Sequence, residues 1–387
     1  MRILWHSNWI RACTGYGKQT RQVVTRLKQL GHEVVVSANW GIDGAAVEID
    51  GILHVPGTIT VLDHGQYVLP MHVKELKPDA TVTLLDLWPL PEDFGKRIEE
   101  AGSRFVPWVP IDHDPCPNKV ASRLKHATKV IAMCQFGRRK LGERGIQAAT
   151  IPHGVETQVF KPADRMAVRR KLGFPEDVFL VVMVQANKSY PSRKCFQQQF
   201  EGFARFHARH PNTALYLHSW EGTEFGGPNL NALAQACCIR DAVFCQDRYQ
   251  ALMGVPDESL AEVFQAADVT LNATAGEGFG VPIIESLACG VPVIVTDFTS
   301  MSELCPEEVG WRVGYTDRFF TALEAYQVWP DPKQIGEALE AALEADREAM
   351  RPRCEEFAMQ FDAQRLVEDK WVPLLEGLKS GENERGV

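Results

Sequence analysis

The 387 residues contain no Cys-x-x-Cys pair, and the ten cysteines, at 13, 116, 134, 195, 237, 238, 245, 289, 305 and 354, follow no regular spacing. That argues against a disulfide framework and a zinc site, and reduced cytosolic thiols are expected. No apolar run approaches the length of a membrane span. The start, Met1-Arg-Ile-Leu-Trp-His, enters a strand pattern at once instead of a charged and apolar leader. Collagenous, low-complexity and disordered bias is lacking until the last few residues. A cytoplasmic protein is the expectation, with peripheral attachment at a membrane as its variant.

With 45 % apolar content, a chain of this length can fill two cores of ordinary size. The net charge of -9 hides an asymmetry. Residues 1–150 hold 19 Lys and Arg against 15 Asp and Glu, a balance of +4, which leaves -13 for the remainder. Much of the positive excess lies in Lys119, Arg123, Lys125, Lys129, Arg138, Arg139, Lys140 and Arg144, where Glu143 is the one acid. Either this is a solvated helical face or it meets an anionic partner, a phospholipid surface or a nucleic acid.

The first half alternates short apolar strands with helices. Arg2 to His6, Glu33 to Ala38, Ala80 to Leu85, Phe105 to Val109, Lys129 to Met133 and Ala149 to Pro152 read as strands. Gly17 to Leu30, Glu92 to Ala101, Pro117 to His126 and Phe136 to Arg144 read as helices. Such alternation predicts an α/β protein with a parallel sheet covered on both faces. Functional residues then collect at the carboxyl ends of the strands, after His6, Leu85, Val109 and Met133. Thr14-Gly15-Tyr16-Gly17 and Asp112-His113-Asp114 stand at two such ends. Either aspartate can fix the tautomer of His113 or raise its pKa.

In the second half, Ala267 to Thr274 reads as a strand and the glycines at 276, 278 and 280 as a loop. Pro282 fits the first turn of a short helix that stops at Gly290, before the strand Val291 to Val295. A glycine turn feeding a helix start offers unpaired N–H groups to phosphate. Glu277 in the loop and Glu285 in the first turn or so of the helix are carboxylates suited to vicinal hydroxyls. Hydroxyls on both sides of a phosphate describe a nucleotide sugar.

Glu277-Gly278-Phe279-Gly280-Val281-Pro282-Ile283-Ile284-Glu285, followed by Ala288-Cys-Gly-Val-Pro-Val-Ile, resembles the Glu-x7-Glu signature of retaining GT4-type glycosyltransferases. The resemblance covers nearly the whole chain. It implies a GT-B fold, two Rossmann-like doubly wound parallel-sheet domains facing a central cleft, with a C-terminal helix crossing back. Residues 1–160 would form the acceptor-side domain, 161–176 the linker, 177–345 the nucleotide-sugar domain and 346–387 the returning helices. The crossing would be driven by an apolar stripe of Phe357, Phe361, Leu366, Trp371 and Leu374. Ile151-Pro-His153-Gly resembles the family's domain-closing stretch, although His153 replaces the usual asparagine.

By the same resemblance, Arg193 and Lys194 neutralise the donor diphosphate, with Lys188 a rival for one role. Gly15, Tyr16 and Gly17 approach the phosphates, and His113 stands beside the transferred sugar. Thr299 to Glu303 resembles a further family helix start, and Arg248 and Tyr249 are placed to meet the base. The implied catalytic set is His113, Glu277, Arg193 and Lys194. The donor set adds Gly15, Tyr16, Gly17, Gly278, Phe279, Gly280, Val281 and Glu285. The implied activity is metal-independent, hexosyltransferase-like transfer with retention, from a UDP- or GDP-sugar, without further cofactor. A sugar-nucleotide epimerase or hydrolase, and a non-catalytic nucleotide-sugar sensor, are the alternatives.

Overall fold

The structure is a computed structural model that describes residues 1–60 and 63–380. The chain divides into two compact units. The first comprises Met1–Gly154, Thr321–Ala325 and Phe361–Val387, the second Val155–Phe320 and Tyr326–Gln360. The end of the expected returning stretch, 381–387, lies outside the described residues. No helix among the described residues is long and apolar enough to cross a membrane.

The first unit is built on eight strands: β1 (Arg2–Asn8), β2 (Glu33–Trp40), β3 (Val47–Ile49), β4 (Ile52–Pro56), β5 (Ala80–Leu84), β6 (Arg104–Val109), β7 (Val130–Ala132) and β8 (Ala148–Thr150). They run in the order β3-β4-β2-β1-β5-β6-β7-β8. All neighbours are parallel except β3 and β4. The central strands are buried on both faces, which is why Ile3-Leu4-Trp5 and Val34-Val35-Val36 read as continuous apolar runs. Winding changes direction beside β1, and the turn after it carries Thr14 to Gly17.

The C-terminal helices Ala363–Leu366 and Val372–Ser380 belong to this unit. Trp371, 1 % exposed, packs its ring 5.1 Å from that of Trp5 and 5.0 Å from that of Trp108. Gln19 ties the end of the unit's sheet region by bonding both backbone groups of Gly154, at 2.8 and 2.7 Å. The return begins later than the sequence suggested. Helix Arg347–Met359 stays in the second unit, where it packs on Val281–Ala288, sends Arg351 to the carbonyl of Ala163, and buries Cys354.

The second unit holds β9 (Phe179–Val184), β10 (Thr213–His218), β11 (Val243–Cys245), β12 (Val269–Asn272), β13 (Val293–Thr296) and β14 (Gly310–Val313). They form an all-parallel sheet in the order β11-β10-β9-β12-β13-β14. Counted within the unit, that is 3-2-1-4-5-6, the doubly wound order, with its switch point between β9 and β12. Phe196, Phe200, Phe203 and Phe206, at helical spacing on Phe196–His207, fill the core on one face.

Two hairpins were not anticipated. β3 and β4 meet through Asp50-Gly51, and β15 (Tyr315–Phe320) pairs antiparallel with β16 (Tyr326–Pro330). The helix expected over Pro117 to His126 is shorter, an α-turn at Asn118–Ala121 running into a 3-10 turn at Ser122–Leu124.

Candidate active site

The loops that follow β9 and β12 leave the sheet at the switch point of the second unit, where a doubly wound sheet opens a crevice. The first carries Arg193 and Lys194, the second the glycine loop. Arg193 Nη1 donates to Glu277 Oε2 at 2.9 Å and to the Gly276 carbonyl at 2.8 Å. Lys194 Nζ donates to the other carboxylate oxygen of Glu277, which also accepts from Thr274 Oγ1 at 3.2 Å. Glu277 is 6 % exposed. Burial pushes its carboxyl up, but Arg193 and Lys194 outweigh burial and hold it below the usual carboxylate range. Two cations thus share one buried anion, which leaves a net positive site beside a glycine loop.

Polar side chains under the surface hold the two loops together. Gln199 Nε2 donates to the Lys194 carbonyl at 2.6 Å and to Gln185 Oε1 at 3.0 Å, while its own oxygen accepts from Ala273 N. Ala275 N donates to the Arg193 carbonyl at 2.8 Å. Thr299 and Ser300 clamp the glycine loop from the other side. Glu277 N donates to Thr299 Oγ1 at 3.0 Å, and Ser300 Oγ lies 2.9 Å from the Glu277 carbonyl and 2.6 Å from that of Phe279.

Thr299 makes its contact from φ +58° and ψ -140°, a region that residues with a Cβ rarely enter and that costs about 1–3 kcal/mol. Glycine at that position would be unstrained but would offer no oxygen to Glu277. Gly280, at φ +109°, opens the helix Val281–Ala288 with Pro282 in its first turn. Gly278, Phe279 and Gly280 are buried. Glu285 is also buried, but it sits in the second turn of the helix; with the start at Val281, no acid falls in the first turn.

In the first unit, helix Gly15–Gln29 opens on Gly15, Tyr16 and Gly17. Thr14 Oγ1 caps it by accepting from Gly17 N at 3.0 Å and from Asn8 Nδ2 at 2.8 Å. A Cβ at Gly17 would stand 2.3 Å from the Ala12 carbonyl, so the close approach demands glycine, whereas Gly15 meets nothing within 4 Å.

His113, 5 % exposed, lies 2.6 Å through Nδ1 from Asp112 Oδ1. A carboxylate accepts, so Nδ1 is the nitrogen that donates to Asp112. Asp114 instead pairs with Lys140 at 2.8 Å. Of the two aspartates, Asp112 is the one that bonds His113. His153 is buried edge-on against Trp108, ring centroids 4.6 Å apart, and burial lowers its pKa to about 3.

Of the rival residues, Lys188 is exposed and bridges Gly226 by backbone, so Lys194 is the lysine that meets Glu277. Arg248 pairs with Glu224 at 2.6 Å and lies over Trp220, and Tyr249 is exposed. Half of the basic stretch is engaged within the first unit. Lys119 donates to the Ala322 carbonyl, Arg123 to that of Leu90, Arg144 to that of Cys116, and Lys140 to Asp114 and Glu143. Lys125, Arg138 and Arg139 are exposed.

Sequence reasoning missed Thr274, Gln185, Gln199 and the role of Thr299 and Ser300. The glutamines carried a signal, being amides at apolar positions of a buried strand end and helix; the resemblance of Thr299 to Glu303 to a family helix start marked the segment but not the strained contact of Thr299.

Residues 164–322 match the family described as glycosyl transferases group 1. A D-inositol 3-phosphate glycosyltransferase from Stackebrandtia nassauensis is 35 % identical over 153 residues, 37 % of this chain and 32 % of that protein. An O-antigen chain mannosyltransferase B from Escherichia coli is 44 % identical over 50 residues, 13 % of each chain. The match thus spans about a third of the length of the first of these relatives. Among solved structures, sucrose-phosphate synthase from Thermosynechococcus elongatus superposes with a TM-score of 0.79 at 16 % identity, over 98 % of this chain and all of that one. HepE from Anabaena, solved in complex with UDP-glucose, gives 0.72 at 14 % identity over 97 % and 100 %. The chain has the GT-B fold of these structures, and its residues 164–322 are similar to the glycosyl transferases group 1 family.

Proposed function

We propose that the protein is a retaining, GT4-type glycosyltransferase that moves a sugar from a nucleoside diphosphate donor, UDP- or GDP-linked, to an acceptor hydroxyl. The observation that carries this reading is the convergence of Arg193 and Lys194 on the buried carboxylate of Glu277, next to the glycine loop at the switch point. As the bond from the anomeric carbon to the diphosphate oxygen breaks, charge grows on the leaving group. Two fixed cations stabilise that state more than the ground state, which lets the site work without a divalent metal. Attack comes from the same face. The acceptor oxygen bonds to the anomeric carbon and its proton passes to the departing phosphate, so no protein nucleophile is invoked.

Glu277, released from the cations by the diphosphate, turns to the sugar hydroxyls, and Glu285 takes the ribose. His113, its tautomer fixed by Asp112, offers Nε2 as an acceptor to a hydroxyl of the transferred sugar. Titration calorimetry with UDP and GDP tests this orientation. Glu285→Gln weakens nucleotide binding, while Glu277→Gln leaves it intact and cripples transfer; the reverse pattern contradicts the assignment.

The acceptor is proposed to be anionic and bound through the exposed Lys125, Arg138 and Arg139, at a membrane surface facing the cytoplasm. Cosedimentation with phosphatidylserine liposomes then falls steeply between about 50 and 200 mM salt, because screening shortens to a Debye length of about 8 Å. Absence of binding at the lower salt, or binding unchanged by mutating all three cations to Ser, rejects it.

A further inference from the structure

The second unit also has a cavity of about 530 Å³ at the amino ends of β9 and β10, lined by Val178, Phe179, Asn212 and Thr213 and by several arginines. The donor loops leave the carboxyl ends of the same sheet, so a six-residue strand, about 20 Å, separates the two places.

Three guanidinium groups converge here on a single carboxylate. Asp268 meets Arg169 at 2.7 Å, Arg165 at 3.1 Å and Arg347 at 3.6 Å, and spends a further lone pair on Leu180 N. Arg169 is buried and well supplied with acceptors, since it also donates to the carbonyls of Ala266, Glu176 and Val178. Its role is structural.

Arg347 is likewise bonded to backbone, donating through Nη1 to the carbonyls of Ala342 and Leu343 at 2.7 and 3.0 Å, and what sets Arg165 and Arg347 apart is their Nε atoms. The Nε of each is buried without a hydrogen-bond acceptor among the described residues. Each is also the first residue of its helix, Arg165–Leu172 and Arg347–Met359, where the dipole is positive and a cation is disfavoured. The ring of Phe179 lies under the Arg347 guanidinium at 5.0 Å. Burial, followed by the cations Arg165 and Arg169, holds the Arg347 pKa below its ordinary value against the pull of Asp268.

Nearby carboxylates do not balance the excess. Glu348 reaches Arg165 at 3.4 Å from a largely exposed position, Glu176 is taken by Arg170 and Glu340 by Arg209. Asp177 lines the cavity too, and its backbone carbonyl accepts from Asn212 Nδ2. Two cations at helix amino ends, lining a space large enough for a small molecule, suit a multiply charged oxyanion.

We propose that this cavity is a second ligand site, independent of donor binding, which takes a small phosphate-bearing molecule with its phosphate between Arg165 and Arg347. Phosphate fits better than a carboxylate because its charge and four oxygens match two diverging cations.

Thermal unfolding with inorganic phosphate, glucose 6-phosphate and glucose, each against sodium chloride at equal ionic strength, tests the site. Because the donor site also attracts phosphate, the wild type is compared with Arg193→Ala/Lys194→Ala and with Arg165→Gln/Arg347→Gln. A phosphate compound at about ten times its Kd raises Tm by roughly 3 °C in the wild type and in the donor-site variant. The shift disappears in Arg165→Gln/Arg347→Gln, which still binds UDP. Response to both phosphates identifies the bare anion as sufficient; response to glucose 6-phosphate alone identifies a sugar phosphate. Should the double variant fail to fold, Arg165→Gln by itself weakens binding at least threefold. Three results overturn the proposal: no shift beyond that of sodium chloride, a shift that survives loss of Arg165 and Arg347, or one abolished by the donor-site variant.

Discussion

Thr299 holds Glu277 by its backbone N–H from a conformation that glycine enters freely and threonine does not. Strain, hydrogen bonding and chain entropy compete there. Replacement by glycine removes about 1–3 kcal/mol of strain, but it loses a buried hydrogen bond of about 1 kcal/mol and adds chain entropy of about 0.5–1 kcal/mol to the unfolded state. These changes nearly cancel, so Thr299→Gly unfolds within a few degrees of wild type. Its turnover nevertheless drops at least tenfold, because a slight misplacement of the Glu277 loop costs alignment at the reacting centre. Thr299→Ser keeps the oxygen and most of the activity. Thermal unfolding beside donor turnover checks this, and wild-type turnover in Thr299→Gly rejects it.

Among the elements, the returning C-terminal segment buries Leu366, Val367, Leu375 and Leu378 beside its largest side chain, Trp371. Trp371 fills the space between Trp5 and Trp108, and Trp371→Ala destabilises the first unit by about 3–5 kcal/mol in urea unfolding. A loss under about 1 kcal/mol shows that the segment is held elsewhere. The sequence made such buried elements legible. The double-faced burial of β1, β2 and β9 writes uninterrupted apolar runs, and the Gly-Phe-Gly loop with Pro282 and Gly290 marks both ends of the helix Val281–Ala288. Exposed elements were less legible. β3, of three residues, buries too little to show a period, although Asp50-Gly51, both at positive φ, is the local hairpin signal. The outer strand β15 is mostly exposed, so no apolar alternation betrays it. The start of the C-terminal return depended on Arg351 and Cys354 packing in the second unit, a tertiary contact with no local signature.

At the scale of the whole molecule, the candidate site residues of the second unit sit where its 3-2-1-4-5-6 sheet places a crevice, after β9 and β12. The glycine loop and its two glutamates were readable as a motif. That Arg193 and Lys194 converge on Glu277 was not, because residues more than 80 positions apart meet only through the sheet. The central claim is that these two cations do the work otherwise given to a divalent metal. Release of nucleoside diphosphate from UDP-glucose and GDP-mannose, measured in excess EDTA for the wild type, Arg193→Ala and Lys194→Ala, tests it most directly. Undiminished wild-type turnover in chelator, with a loss of about tenfold to a thousandfold in each variant, is the expected result. Activity lost in EDTA and restored by magnesium or manganese, or full turnover in both variants, contradicts it.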